Sequence, residues 1–286
     1  MTCFVTAPDG VEIAYETEGE GPPLVLLHGL AGDRQTWRAF GLAERLLQMG
    51  RRVILIDARG HGASEKPYNV EAYADHKRAA DVVVVLDALS VTSADLCGYS
   101  MGGWIAMSVA AFHPQRCRSL TAIAAHGYAQ SLSAFRHALG DDMNGWIAHI
   151  ETAGGRRLNQ TLKDQLLRND IDSLWSSVAA DRTDLSGDVA DARCPSLLIC
   201  GDRDPLWPDI ARFGRWISGW TVTLPGRDHF TAIGATGEIA LALASFLAFV
   251  DQVQSDPAHP RYRPKRPLMA DMPMIVQTGP RRSDAA

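Results

Sequence analysis

Apolar positions follow two rhythms along this chain: short unbroken runs, and longer stretches spaced by three and four residues. Leu24-Val25-Leu26-Leu27 and Val53 to Ile56 are unbroken, as strands covered on both faces read. Residues 2–6 and 11–17 alternate loosely and meet through Asp9-Gly10, a hairpin signal. A helix is expected from about Trp37 to Met49, closed by Gly50. Between Val70 and Leu89, Val82 to Val85 alone suggests a strand. The stretch lacks Gly and Pro, however, and Glu71, Asp75, Lys77, Arg78 and Asp81 interrupt any alternation, so it predicts a helix. A strand then runs from Ala94 into Ser100, and a helix leaves it and ends near His113, before Pro114. Leu120 to Ala124, Ser196 to Cys200 and Thr221 to Leu224 read as strands, and an amphipathic helix from Glu238 closes the pattern.

Strands alternating with helices imply right-handed crossovers and a mainly parallel sheet flanked by helices, an α/β fold. In such sheets the ligand crevice lies at the carboxyl ends of the strands. His28-Gly29, Asp57 to Arg59, Ser100, His126 and the Asp202/Asp204 pair all fall at such ends. Residues 128–192 break the rhythm: helical segments at about 131–139, 142–152, 157–169 and 172–180 read as a lid inserted after the sixth strand. Residues 1–127 and 193–253 then form the core. The tail, 254–286, holds six prolines with little periodicity and is expected to be disordered.

Composition narrows the partners. The 286 residues are 46% hydrophobic and carry a net charge of −5, which argues against nucleic acid as a partner. That charge is uneven: the tail's six Lys/Arg and three Asp leave +3, so the rest carries −8. The five cysteines form no C-x-x-C pair, and Cys97 and Cys200 sit in apolar runs, which points to reduced thiols rather than disulfides or zinc. The N-terminus has no signal-peptide pattern, and the greasy run Ile239 to Val250 is too short to span a membrane. A cytoplasmic protein is expected.

The chemistry centres on Gly98-Tyr99-Ser100-Met101-Gly102-Gly103. A strand, a Gly-x-Ser-x-Gly turn and a helix in that order form a nucleophile elbow. Gly98 and Gly102 let strand and helix approach closely, and the helix N-terminus offers unpaired N–H groups to developing negative charge. Together with His28-Gly29-Leu30-Ala31-Gly32, Asp57-Ala58-Arg59-Gly60-His61-Gly62, Gly201-Asp202-Arg203-Asp204 and Gly226-Arg227-Asp228-His229-Phe230, the chain resembles the α/β-hydrolase superfamily, in particular its small esterase-like members. The resemblance covers residues 5 to about 252.

That resemblance implies a nucleophile Ser100, a base His229 and an acid Asp204, in the Ser, acid, His chain order of this fold. Asp202 competes for the acid's place; Asp228, adjoining His229, is awkwardly placed for it. It also implies an oxyanion hole from the backbone N–H groups of Leu30 and Met101, with Gly29 turning the chain so that Leu30 faces inward. His28 and His61 resemble family residues that shape loops. His76, His113, His137 and His149 fall on predicted helices and His259 in the tail. Trp37, Trp104, His126, Tyr128 and Trp207 are candidate substrate contacts, while lid packing suits Trp146 and Trp175. No metal or organic cofactor is implied. The expected activity is hydrolysis of a small-molecule carboxylic ester or related acyl substrate. Carbon–carbon bond hydrolysis of ring-cleavage products, lactonase, thioesterase and perhydrolase chemistry share the same triad, and a hydrolase-fold receptor is a further alternative. Serine at position 100 argues against dehalogenase or epoxide hydrolase chemistry, whose family members carry aspartate there.

Overall fold

The computed structural model describes residues 1–140 and 142–255, so the expected disordered stretch from 256 onward lies outside the described residues. Eight strands form one sheet: β1 (Cys3–Thr6), β2 (Glu12–Glu18), β3 (Pro23–Leu27), β4 (Arg52–Ile56), β5 (Ala94–Tyr99), β6 (Cys117–Ile123), β7 (Ser196–Gly201) and β8 (Trp220–Leu224). Their spatial order is β1-β2-β4-β3-β5-β6-β7-β8. β1 and β2 pair antiparallel to each other, β2 is antiparallel to β4, and all other pairings are parallel.

The unbroken apolar runs have a simple cause. Successive strand side chains point to opposite faces, and here both faces are covered. In β3, Val25 and Leu27 enter one core cluster and Leu24 and Leu26 the other. β4 divides the same way into Ile54 and Ile56 against Val53 and Leu55, and β7 into Leu198 and Cys200 against Leu197 and Ile199.

Helices supply the two covers. The sequence reading expected one helix over 37–49; there are two short ones, α1 (Thr36–Ala39) and α2 (Leu42–Gln48), separated at Phe40-Gly41. The stretch from Val70 is a single 3-10 turn, Val70–Tyr73, followed by α3 (Asp75–Ala88); Ala74 between them is extended at ψ 144° and breaks the helix. α4 (Met101–Phe112) follows Ser100 directly. Between β6 and β7 come α5 (Ser133–Leu139), α6 (Met143–Ala153), α7 (Gln160–Leu167), α8 (Ile171–Val178) and α9 (Ser186–Ala192). α10 (Trp207–Trp216) precedes β8, and α11 (Thr236–Ser255) ends the described chain, taking in Gln254 and Ser255 that sequence placed in the tail. α3, α4, α9 and α10 bury Val82, Ile105, Val189 and Phe213 in the first cluster, while α2 and α11 bury Leu46, Leu243 and Phe246 in the second.

α11 is 20 residues long and apolar enough, by length and composition, to cross a membrane, longer than the twelve-residue run suggested. Its Ile239, Leu243, Phe246, Leu247 and Val250 nevertheless lie buried in the second cluster beside the sheet.

α5 to α8 fall on the four helical segments expected there. They share a third cluster around Leu139, Trp146, Leu166 and Leu174, and Asp142, Asn159 and Asp170 cap α6, α7 and α8. α9 was not anticipated; it packs on the core rather than on these helices, through Val189. The block sits on the loops after β3 and β4: Asn169 Nδ2 donates to Ala31 O at 2.9 Å and Ser173 Oγ to Gly60 O at 2.9 Å.

The winding reverses at β3, since β4 lies on one side of it and β5 on the other. A doubly wound sheet opens its crevice at such a point, outside the carboxyl ends of the strands. The loops after β3 and β5 therefore start side by side, with Leu27 opposite Gly98.

Candidate active site

Ser100 stands between β5 and α4 with φ 53° and ψ −111°, a backbone conformation that L-residues rarely adopt. The two flanking glycines make the corner possible. A Cβ on Gly98 would lie 2.1 Å from Gly102 O, and one on Gly102 would lie 2.0 Å from Leu27 O. No side chain fits either gap. Strand and helix thus meet at backbone contact, which lifts the serine out of the sheet. Ser100 N–H donates to Ile123 O at 2.8 Å and Ser100 O accepts from Trp104 N–H at 3.1 Å, so both ends of the corner are tied.

Three of the predicted residues meet in one chain of contacts. Ser100 Oγ lies 2.9 Å from His229 Nε2, and His229 Nδ1 lies 2.9 Å from Asp204 Oδ2. All three are buried, with Asp204 the most enclosed at 3% exposure. Asp204 Oδ1 accepts from Leu206 N–H at 2.9 Å, which fixes the carboxylate with its second oxygen toward the imidazole. Burial pushes the Asp204 carboxyl up, but the His229 hydrogen bond and charge, with the Leu206 N–H, outweigh it and hold the pKa below the usual carboxylate value. It is ionised at neutral pH. An ionised acceptor at Nδ1 keeps the Nδ1–H tautomer, leaving Nε2 free to take a proton from the serine hydroxyl.

The carrying loops explain why sequence neighbours do different work. Gly201 lets the β7 end press against the His229 loop: a Cβ there would be 2.0 Å from Arg227 O, and Arg203 N–H donates to that oxygen at 2.9 Å. Asp202 Oδ1 accepts from Gly226 N–H at 2.7 Å, and Asp228 Oδ1 accepts from Phe230 and Thr231 N–H at 2.8 and 2.9 Å. Both hold turns, and Asp204 is the carboxylate that touches the ring. Tyr99, which drew no notice in the sequence, donates from its hydroxyl to His229 O at 2.7 Å. A tyrosine at the variable position of Gly-x-Ser-x-Gly carries no signal of that role.

Leu30 and Met101 line the same cavity as Ser100. Met101 opens α4, so its N–H has no acceptor within the helix. Gly29 has a different reason from the one expected: a Cβ there would come within 2.8 Å of the Tyr99 ring, while the positive φ of this loop, 60°, belongs to Ala31. His28 Nε2 accepts from Ala58 N–H at 3.0 Å and its Nδ1 donates to Gly29 O at 2.8 Å, a brace between the loops after β3 and β4. His61 is wholly buried, and burial first of all lowers its pKa well below the ordinary value.

Two cavities, about 420 and 440 Å³, meet at Ser100, Leu30 and Phe135. Trp104 lines the first; its Nε1–H donates to Asp75 Oδ1 at 2.7 Å. The other four proposed substrate contacts line neither cavity. Trp37 is fully buried in the second core cluster, where its large apolar ring is worth more as packing. Trp207 packs on the first cluster, and its N–H donates to Asp204 O at 2.9 Å. Tyr128 lies between the Phe213 ring, 5.6 Å away, and the Arg212 guanidinium, 4.2 Å away. His126 is buried beside Tyr128, and burial lowers its pKa. Trp146, buried in the third cluster, also lines the second cavity, and Trp175 Nε1–H donates to Gly140 O at 2.7 Å. Arg78, which in the sequence only interrupts the alternation of the 70–89 stretch, and Arg182, which carries no signal there, line the first cavity.

Comparison with known proteins agrees with this architecture. The chain is 30% identical over 250 residues to the dihydrolipoyllysine-residue acetyltransferase component of the acetoin cleaving system of Pseudomonas putida, covering 82% of this chain and 65% of that protein. It is 38% identical to the 2-hydroxymuconate semialdehyde hydrolase of Pseudomonas sp. (strain CF600) over 122 residues, 41% of each. A thermophilic esterase structure from Thermogutta terrifontis superposes with a TM-score of 0.73 at 22% identity, over 87% of this chain and 99% of that one, a likeness of fold. Residues 22–170, just over half of the chain, match the model of the alpha/beta hydrolase fold. With the elbow after β5 and the winding reversal at β3, that match establishes that the chain belongs to the α/β-hydrolase family.

Proposed function

We propose that this protein is a serine hydrolase of carboxylic esters or related acyl compounds, with Ser100 as nucleophile, His229 as base and Asp204 as acid. The observation that carries the reading is the unbroken path from Ser100 Oγ through His229 to Asp204, with both steps at 2.9 Å. A serine hydroxyl is a weak nucleophile near neutral pH and needs a base within hydrogen-bond reach. As Ser100 Oγ attacks the acyl carbon, its proton passes to His229 Nε2, and Asp204 stabilises the imidazolium. The carbonyl oxygen gains negative charge beside the N–H groups of Leu30 and Met101. Collapse of the tetrahedral species expels the alcohol, which takes the proton from His229. Water, deprotonated by the same imidazole, then releases the acid and restores Ser100. The helices α5 to α8 act as a lid over the two cavities. A cytoplasmic setting accords with five free thiols.

The likeness to 2-hydroxymuconate semialdehyde hydrolase supports a second reading, cleavage of a carbon–carbon bond by the same residues. One experiment addresses both. Incubation with a fluorophosphonate, followed by peptide mass spectrometry, gives a covalent adduct on Ser100. Turnover of p-nitrophenyl butyrate together with slow consumption of ring-cleavage dienoates assigns ester hydrolysis, and the reverse ranking assigns carbon–carbon cleavage. No adduct and no turnover overturns the serine-hydrolase reading and leaves the receptor alternative.

A further inference from the structure

Several enclosed guanidinium groups among the described residues are paired with carboxylates, whereas two that line a cavity are not. Arg59 meets Asp9 at 2.8 Å and Asp81 at 2.6 Å. Arg34 pairs with Glu16 and Asp57, and Arg51 and Arg118 both pair with Asp95 and Asp251. Arg78 and Arg182 have no carboxylate within 4 Å among the described residues, and both line the cavity that opens on Ser100. A charge taken out of water is costly unless an opposite charge or a full set of acceptors replaces the solvent.

Arg78 is 8% exposed and, among the described residues, donates only to neutral carbonyls, from Nε to Tyr73 O at 2.8 Å and from Nη2 to Ser177 O at 2.6 Å. Arg182 is half-buried; among the described residues only its Nη1 has an acceptor, Gln130 Oε1 at 2.8 Å. Its guanidinium lies over the Trp104 ring, 5.1 Å from the centroid, and Trp104 is itself one helical turn beyond Ser100. The planar fork is thus oriented on a fixed aromatic, with donors to spare, in the geometry suited to a carboxylate. Of the three acids along this cavity, Asp75 and Asp181 are engaged by other groups. Asp75 accepts from Trp104 Nε1 and from Thr183 Oγ1 at 3.1 Å, and Asp181 is paired to Arg136 at 2.9 Å. Glu71 and His76 are exposed. Burial, and then the neighbouring Arg78 charge, lower the pKa of Arg182 to about 9 against the weaker opposing pull of Asp75, so it stays protonated at neutral pH with no carboxylate in contact among the described residues.

We propose that the first cavity is a carboxylate subsite, so that the substrate carries a free acid group on the limb that lies beside Arg182, with Arg78 behind it. The second cavity, walled by Trp146, Ile150, Leu162 and Phe230, takes an apolar limb, and the scissile carbonyl sits at the neck by Ser100. This assignment rests on the serine-hydrolase reading above.

Two substrate pairs test it, one with the acid on the acyl side and one with it on the alcohol side. They are mono-p-nitrophenyl glutarate against p-nitrophenyl valerate, and 4-carboxyphenyl butyrate against phenyl butyrate. In Arg182→Gln the ratio of kcat/KM for acid over neutral ester falls ~30-fold in one pair, the scale of a lost charge-assisted hydrogen bond. Arg182→Lys recovers part of it. A ratio unchanged in both pairs, in a variant whose Ser100 still takes the phosphonate, overturns the subsite and leaves the hydrolase reading standing. Absence of labelling in the unaltered protein removes both. A measurement that needs no variant runs beside these: glutarate slows phosphonate labelling of Ser100 and glutaramide does not. Equal protection by the two, or protection by neither, also overturns the subsite.

Discussion

The loops that carry Ser100, Asp204 and His229 and the helices that cover them differ in the contacts that dominate each. Below, backbone meets backbone at distances that admit no side chain, as at Gly98 against Gly102 and Gly201 against Arg227. Above, α5 to α8 are held by side chains: the apolar cluster of Leu139, Trp146 and Leu174, and single hydrogen bonds such as Trp175 Nε1 to Gly140 O. The first kind of contact has no slack, because main-chain atoms cannot change rotamer. The second repacks when a side chain is exchanged, since cores tolerate swaps that keep volume and pattern. Reaction geometry is thus assigned to rigid backbone, and the shape of the substrate space to adaptable packing.

The contrast can be broken or sharpened at four positions. Ser100→Ala removes the proposed nucleophile, so ester turnover should fall by ~10⁵–10⁶-fold and phosphonate labelling should vanish, with the unfolding temperature little changed. A labelled protein would place the nucleophile elsewhere. Asp204→Asn should cost ~10⁴-fold, because the amide can stabilise the wrong imidazole tautomer, whereas Asp202→Asn should stay within about tenfold. Initial rates on one ester, with folding checked by circular dichroism, decide between them, and the opposite ranking hands the acid's role to Asp202. Trp146→Ala should act mainly on the cover, although its ring also meets Phe230 at 6.0 Å beside His229: KM for esters with a bulky apolar limb is expected to rise about tenfold, while the labelling rate of Ser100 by a small phosphonate barely moves. Equal losses in both would show that the cover also sets the reaction geometry. Tyr99→Phe deletes one buried hydrogen bond to His229 O, and about fivefold in kcat is the expected loss, matching ~1 kcal/mol. A drop beyond a hundredfold would make Tyr99 a far more important support of the imidazole.

This division also decides what can be read from the sequence. The elbow is legible because backbone contact demands glycine, and Gly98, Gly102 and Gly201 stand at fixed offsets from Ser100 and Asp204. Strands buried on both faces are legible because they leave unbroken apolar runs such as Leu24 to Leu27. The cavity walls leave no such trace. Trp37 and Trp207 resemble substrate contacts by their place in the chain, yet Trp37 is buried in the core and Trp207 packs against it. Arg78 looks like a solvated charge on α3, and only the arrival of Ser177 from α8, ninety-nine residues later, encloses it. α10 begins at Trp207-Pro208 and lies between two predicted strands, but nothing in the strand rhythm marks it.

Gln130 and Arg182, where the chain leaves toward α5 and returns from α8, exchange two backbone hydrogen bonds of 3.2 and 3.0 Å. The helices between them are tied off at this neck and rest on the core at Ala31 and Gly60. Lengthening a closed segment is thermodynamically cheap, about 0.6 kcal/mol for each doubling, because closure entropy grows only with the logarithm of length. A graft that replaces residues 131–181 between these two ties is therefore expected to leave the register of the sheet unchanged, which hydrogen exchange of the strand amides would check. New substrate ranges become accessible without redesign of the reacting groups, and the mark left by such an exchange is a break in sequence similarity at the neck.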